Sequence, residues 1–195
     1  METKQSIPVW LFVLTVLTIF FANVTSWVFY GDSELAARSY ARWTAHIAYC
    51  IFLVAFLASP MAHSVPNRLT KWILANRRFW GLNFALAHTI HLGAVVMVMV
   101  VTDQMPDLIA IIFGGFAYVL IWTMAATSTD KSQRRLGKWW TRLHSFGGYY
   151  IWFIFAYTYA GSIFQSQLSV FFLIVALAAI GFKIQDKTTP ARDAA

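Results

Sequence analysis

FWGLNFALAHTIHLGAVVMVMVV, residues 79–101, decides how the chain is read. A bilayer core of about 30 Å is spanned by roughly 20 apolar residues in an α-helix. This stretch supplies that length without a formal charge, interrupted by His88 and His91. Five comparable stretches lie at about 8–30, 43–65, 107–127, 139–161 and 167–184. The chain is 59% hydrophobic and 12% charged, against roughly 25% charged residues in soluble domains. The connections are too short to house a separate domain of about 50 residues. The expectation is an all-α membrane protein: a six-transmembrane-helix bundle forming one domain over residues 1–195, with a short polar tail from about 185.

Lys4 ahead of the first stretch suggests a secretory signal, but the apolar run exceeds the usual core of about 7–15 residues and no small-x-small cleavage site follows. It is read as a helix. Trp10, Trp27, Trp43, Trp80, Trp139 and Trp140 fall near expected helix ends, where amphipathic rings favour the interface. The second loop carries Arg68, Lys71, Arg77 and Arg78, and the fourth carries Lys131, Arg134, Arg135 and Lys138, with Arg142 just beyond. The third has Asp103 and Asp107 and no Lys or Arg. The positive-inside rule therefore places loops two and four, and with six helices both termini, in the cytoplasm. A first loop holding Asp32, Glu34, Arg38 and Arg42 fits that rule least. The net charge of +7 is accounted for by topology and anionic membrane lipid. Because the basic residues are divided among short juxtamembrane loops, nucleic acid is not an expected partner.

Cys50 is the single cysteine and is read as ordinary helix packing. It cannot form an internal disulfide, and no CxxC, CxxCH or Cys–His zinc spacing occurs. Any haem must then be held non-covalently. Without a GxGxxG or other Gly-rich phosphate loop, the chain has no recognisable seat for a nicotinamide or flavin nucleotide. Electrons would have to come from another protein, from FMN or from a lipid-soluble donor such as a quinol.

All five histidines, His46, His63, His88, His91 and His144, lie in or at the edge of a membrane-length stretch. Ionisable groups at such depth are costly and mark functional sites by default; neutral imidazoles on neighbouring helices suit haem iron. At about 1.5 Å rise per residue, His88 and His91 stand roughly 15 and 20 Å above the cytoplasmic boundary and His144 about 9 Å above it. His46 lies about 6 Å below the outer surface, and His63 is near the inner one. Two levels result: an inner one with His63 and His144, and a middle-to-outer one with His46 and either His91 or His88. Bis-imidazole haem b fits such levels, singly or as two haems stacked along the membrane normal. Being three residues apart, His88 and His91 compete for one role. Each histidine also has a plainer use, a hydrogen bond to a neighbouring helix.

Two stretches carry a resemblance. In RRFWGLNFALAHTIHL (77–92) paired arginines precede a Gly-Leu step and a histidine fourteen residues after the first arginine; in TSTDKSQRRLGKWWTRLH (127–144) an LGKxWxxLH element opens a helix. Both resemble the ferric reductase-like transmembrane domain family, and within it the haem-binding membrane subunits of bacterial methionine sulfoxide reductase systems. FLASPMA (56–62), with Pro60, resembles the second helix of the same subunits. The likeness reaches from about residue 43 to about 161.

The resemblance implies a six-helix b-type cytochrome in the bacterial inner membrane. It would relay electrons from a cytoplasmic flavin reductase or quinol to an external acceptor or partner reductase, as an electron-transfer subunit of an oxidoreductase. By position His91 matches the helix-3 haem ligand and His144 the first histidine of helix 5. The second helix-5 histidine would fall thirteen residues on, where Tyr157 stands. Either His46 replaces it in an outer site, or a single haem lies between helices 3 and 5 on His144 with His88 or His91; tyrosinate ligation by Tyr157 is costly. His63 is then the counterpart of His144 at the inner level. Arg77, Arg78, Lys138 and Arg142 are placed to pair with haem propionates, or simply retain the loops in the cytoplasm. Gly147 and Gly148 either make room for a porphyrin face or serve close helix packing. The rivals from other classes are a non-redox bundle or transporter using its histidines for protons or a metal, and a di-iron oxygenase. Against the first stands the lack of Asp or Glu at helix centres.

Overall fold

A computed structural model describes residues 7–188; Lys4 and most of the polar tail lie outside the described residues. Those residues form eight helices: α1 (Val9–Tyr30), α2 (Ser33–Ser64), α3 (Arg68–Ala75), α4 (Arg77–Thr102), α5 (Leu108–Ala126), α6 (Asp130–Leu136), α7 (Lys138–Gly161) and α8 (Gln167–Thr188). Of these, α1, α2, α4, α5 and α8 are long and apolar enough to cross a membrane. The expected sixth, α7, has 24 residues but is less apolar, because Lys138, Arg142, His144 and four tyrosines dilute it. Large apolar side chains such as Phe20, Phe21, Phe29, Ile109 and Ile174 face outward, as expected of helices whose outer solvent is lipid.

The charged first loop does not exist. Gly31, at φ 61°, closes α1 in the left-handed conformation with its N–H on the Trp27 carbonyl, a conformation glycine adopts freely. Asp32 follows immediately as the cap of α2, accepting from the N–H groups of Glu34 and Leu35. Those bonds satisfy donors that a helix start leaves orphaned. Arg38 then pairs with Glu34 one turn back at 2.9 Å. Helix α2 therefore begins ten residues before residue 43 and runs for 32, with Arg38 and Arg42 on it. Ala36 and Ala37 are completely buried and bring α1 close. Cys50, expected inside the packing, is exposed on the outside of α2.

Loops two and four also contain helices. Asn67 and Thr70 cap α3 reciprocally, and Thr129 accepts from the Ser132 N–H to start α6. These two helices mark one side of the bundle. Trp72 of α3 stacks on Trp10 near the start of α1, with centroids 5.9 Å apart. Asp130 of α6 pairs with Arg78 of α4, and His63 at the end of α2 pairs with Asp186 of α8 at 2.9 Å. On the opposite side, Arg38 donates to Gln104 in the α4–α5 connection. The six long helices thus alternate in direction, and the start of α1 and the end of α8 share the side of α3 and α6.

Helix α2 packs against α1, α3, α4 and α8, and its inward rings Tyr49, Phe52 and Phe56 form the centre of the core. Pro60, fully buried within it, has no N–H, so the Phe56 carbonyl lacks its helical donor. Lys183 of α8 supplies one: Nζ donates to Phe56 O at 2.7 Å and lies 4.4 Å over the Phe56 ring. From the other side, Arg77 of α4 donates Nε–H to the neighbouring Ala55 carbonyl at 3.0 Å. Removing the Lys183 donor should therefore cost about 1–3 kcal/mol, the penalty of an unsatisfied buried acceptor. Lys183→Met is expected to lose that much in reversible unfolding in detergent. Adding Pro60→Ala, which returns an N–H to the turn, should recover most of it; equal losses with and without the proline would contradict the pairing.

Candidate functional site

Toward the α3/α6 side, α4 and α7 stand apart and a cavity of ≈ 1230 Å³ opens between them, also bordered by α2 and α5. Ligand pockets commonly span about 300–1,000 Å³, so this one has room for a large organic molecule. Its inner walls are apolar, with Phe52 and Phe56 from α2, Phe84 from α4, Ile121 from α5 and Ile151 from α7. Around the mouth stand Arg77, Arg78, Gln133 and Arg134. Asp130 is there too, held by Arg78, whose hydrogen bond and charge keep the carboxyl below the usual carboxylate range. Ser128, Thr141 and Ser145 share the lining with these rings, so the cavity offers apolar faces and polar side chains beneath a largely cationic rim that can pair with anionic groups.

His144, half-buried, is in the cavity wall. Its ring stacks on Trp140 one turn earlier on α7, with centroids 4.0 Å apart. Trp140 is anchored in turn by its Nε1–H, which donates to the Thr127 carbonyl at 3.0 Å, and the Thr127 hydroxyl lies 3.3 Å from His144 Nε2. The end of α5 and the start of α7 together orient the imidazole. The two glycines one turn on have different roles. A Cβ on Gly147 would stand 2.5 Å from Met124 Sδ on α5, whereas one on Gly148 would only touch the Phe56 ring at 3.8 Å. Gly147 serves helix packing, and Gly148 lines the cavity.

A second group of histidines lies toward the other side of the bundle. His88 and His91 have ring centroids 5.1 Å apart. His88 stacks on Tyr118 of α5 at 5.0 Å, and its Nδ1 is buried without a hydrogen-bond partner. His91 Nδ1 lies 2.9 Å from the hydroxyl of Thr44 on α2. Two residues along, His46 is 3.1 Å from the Tyr159 hydroxyl through Nδ1 and stacks on Phe172 at 4.7 Å. Because α2 starts at Ser33, His46 lies about 20 Å from the start of its helix rather than about 6 Å below a surface.

The structure brings His88, His91 and the His46 segment into one neighbourhood and places His144 in the cavity, whose lining contains neither His88 nor His91. It does not bring His63 to His144: His63 is exposed and paired with Asp186 on α8. Arg77 and Arg78 rim the cavity, while Lys138 and Arg142 do not; Arg142 lies over the Trp139 ring at 4.9 Å. Tyr157 is 59% exposed and points away from the bundle. Tyr159, two residues on, is the α7 tyrosine that reaches a histidine, His46, and its place on the buried face with Ile151 and Phe155 is readable from their four-residue spacing. Arg134 was readable only as part of a basic loop. Among the described residues no group of three or more His, Cys, Asp or Glu side chains stands ready to hold a metal ion.

No family model matches the chain, and no solved structure matches it. Among curated proteins, the haem-binding subunit MsrQ of the protein-methionine-sulfoxide reductase of Enterobacter sp. (strain 638) is 26% identical over 132 residues. That alignment covers 62% of this chain and 65% of the relative, so the chain spans just under two thirds of the relative's length.

The two glycines give a direct check on this geometry. Gly147→Leu forces Met124 out of the α5–α7 contact and should cost about 1–3 kcal/mol, as overpacking does. Gly148→Leu extends into open space and should stay within about 0.5 kcal/mol of the parent. Equal destabilisation in detergent unfolding would contradict the assignment of one glycine to packing and the other to the cavity.

Proposed function

We propose that this chain is a membrane b-type cytochrome that carries electrons across the bilayer as the haem-binding subunit of a larger reductase. The observation that supports it most is the cavity: an imidazole beside apolar rings beneath an arginine rim. That donor set fits haem b. His144 offers a nitrogen ligand, Phe52, Phe56, Phe84 and Ile151 offer faces for a porphyrin, and Arg77, Arg78 and Arg134 offer partners for two propionates. When bound, haem supplies a one-electron couple that the amino acids alone do not have. The similarity to a haem-binding subunit points the same way.

The residues around the iron would exclude water and hold the imidazoles neutral. The outer cluster provides a second site, with His91 as its principal ligand and His46 facing it from α2; His88 Nδ1, buried and unpartnered, is the competing donor there. Two sites at different depths would divide the membrane into two shorter electron-transfer steps. His63 stays outside this proposal, held by Asp186. With α7 counted as the sixth span, the basic α3/α6 side, with the start of α1 and the end of α8, faces the bacterial cytoplasm. The donor is then a cytoplasmic flavin reductase, its FMN or a membrane quinol, and the acceptor is a partner reductase outside.

The purified protein should be red and show a low-spin b-type spectrum that sharpens with dithionite. Because the chain has no nucleotide-binding motif, NADH or NADPH alone should leave it oxidised until a flavin reductase, reduced flavin or quinol is added. A colourless preparation from haem-replete cells would overturn the cytochrome reading. Rapid reduction by pyridine nucleotide alone would overturn the proposed donors.

A further inference from the structure

Thr44 is completely buried and makes two polar contacts. Its Oγ1 is 2.9 Å from the Ala41 carbonyl, one turn back on α2, and 2.9 Å from His91 Nδ1 on α4. A threonine hydroxyl has a single hydrogen, whereas a neutral imidazole has one N–H and one bare nitrogen. The Ala41 carbonyl can only accept, so the hydroxyl hydrogen is directed to it. The contact with His91 is then satisfied only if Nδ1 carries the proton and donates to Oγ1. That leaves Nε2 bare; the Ala41 carbonyl also interacts with the His91 ring, and as an acceptor it too calls for an N–H there.

We infer that Thr44 is a positioning residue that fixes His91 in the Nδ1–H tautomer and presents Nε2 as a metal ligand. The inference rests on the haem reading above and adds to it a residue on a different helix from the ligand. Iron-ligating histidines are generally held by an acceptor on their second ring nitrogen, which sets ring orientation and raises ligand basicity. Most such acceptors are carboxylates, backbone carbonyls or water; here a hydroxyl whose own hydrogen is committed elsewhere does the same work without placing a charge in the membrane. A more basic imidazole favours ferric over ferrous iron, so the contact lowers the potential of the haem on His91.

The test compares Thr44→Val, which keeps the branched shape and deletes the acceptor, with Thr44→Ser, which keeps the acceptor and deletes a methyl. Two readouts on the haem-loaded protein are haem retention and the midpoint potential. A third, on protein made without haem, is the tautomer of ¹⁵N-labelled His91 by NMR. Thr44→Val should weaken haem retention at one site by about 10–100-fold, the usual cost of losing such a partner. It should also raise that haem's potential and mix the His91 tautomers, while Thr44→Ser stays close to the parent on all three. Equal impairment in Ser and Val would show a packing role and overturn the inference, as would a Val variant indistinguishable from the parent. A parent protein that binds no haem sinks the cytochrome reading instead, and the tautomer measurement then still reports whether Thr44 holds His91 as described.

Discussion

Water is absent from the middle of a bilayer, so every polar group placed there must find its partner inside the protein. That constraint organises this chain. Pro60 frees the Phe56 carbonyl in the central helix, and Lys183, 127 residues after Phe56, reaches in to bind it. Arg77 does the same for the neighbouring carbonyl from the opposite side. The Pro60 region of α2 is thereby joined to both α4 and α8 near the wall of the cavity, whose rim includes Arg77. The interaction that completes the backbone of α2 is also one that shapes the mouth of the proposed site.

The histidines obey the same rule. His91 is met by Thr44, His46 by Tyr159 and His144 by Thr127, in each case a hydroxyl from another helix. A hydroxyl satisfies one ring nitrogen without adding charge and leaves the other for a ligand. Two histidines fall outside this pattern: His63 is exposed and paired with Asp186, and His88 has a buried Nδ1 without a hydrogen-bond partner. An unpaired polar atom at such a depth costs free energy, and its place beside His91 makes the outer cluster more than a set of packing contacts.

Much of this was legible in the sequence, because membrane helices announce themselves by length and composition. Five of the six expected spans have the required apolar length, and the helical character of the sixth region was also readable. The start of α2 is hidden because Asp32, Glu34, Arg38 and Arg42 read as a polar loop, whereas Asp32 is a cap and Glu34–Arg38 a stabilising pair within the helix. Short α3 and α6 were hidden for a related reason: their caps, Asn67 and Thr129, sit among charges that also suit a loop. Of the candidate site, the histidines and two rim arginines could be read one residue at a time. Partnerships could not, since Thr44 with His91, Tyr159 with His46 and Lys183 with Phe56 join residues far apart in the chain. His63 is a further case: nothing in its own stretch announces that its partner is Asp186, more than 120 residues on.

The proposal puts one haem in the inner cavity on His144 and a second on the outer cluster. Pyridine haemochrome quantitation against protein mass, applied to the parent and to His144→Ala, tests it most directly. Two haems per chain in the parent and one in the variant, with the remaining spectrum still low-spin, is the result this account predicts. A His144→Ala protein that keeps its full complement of haem and an unaltered spectrum would contradict it.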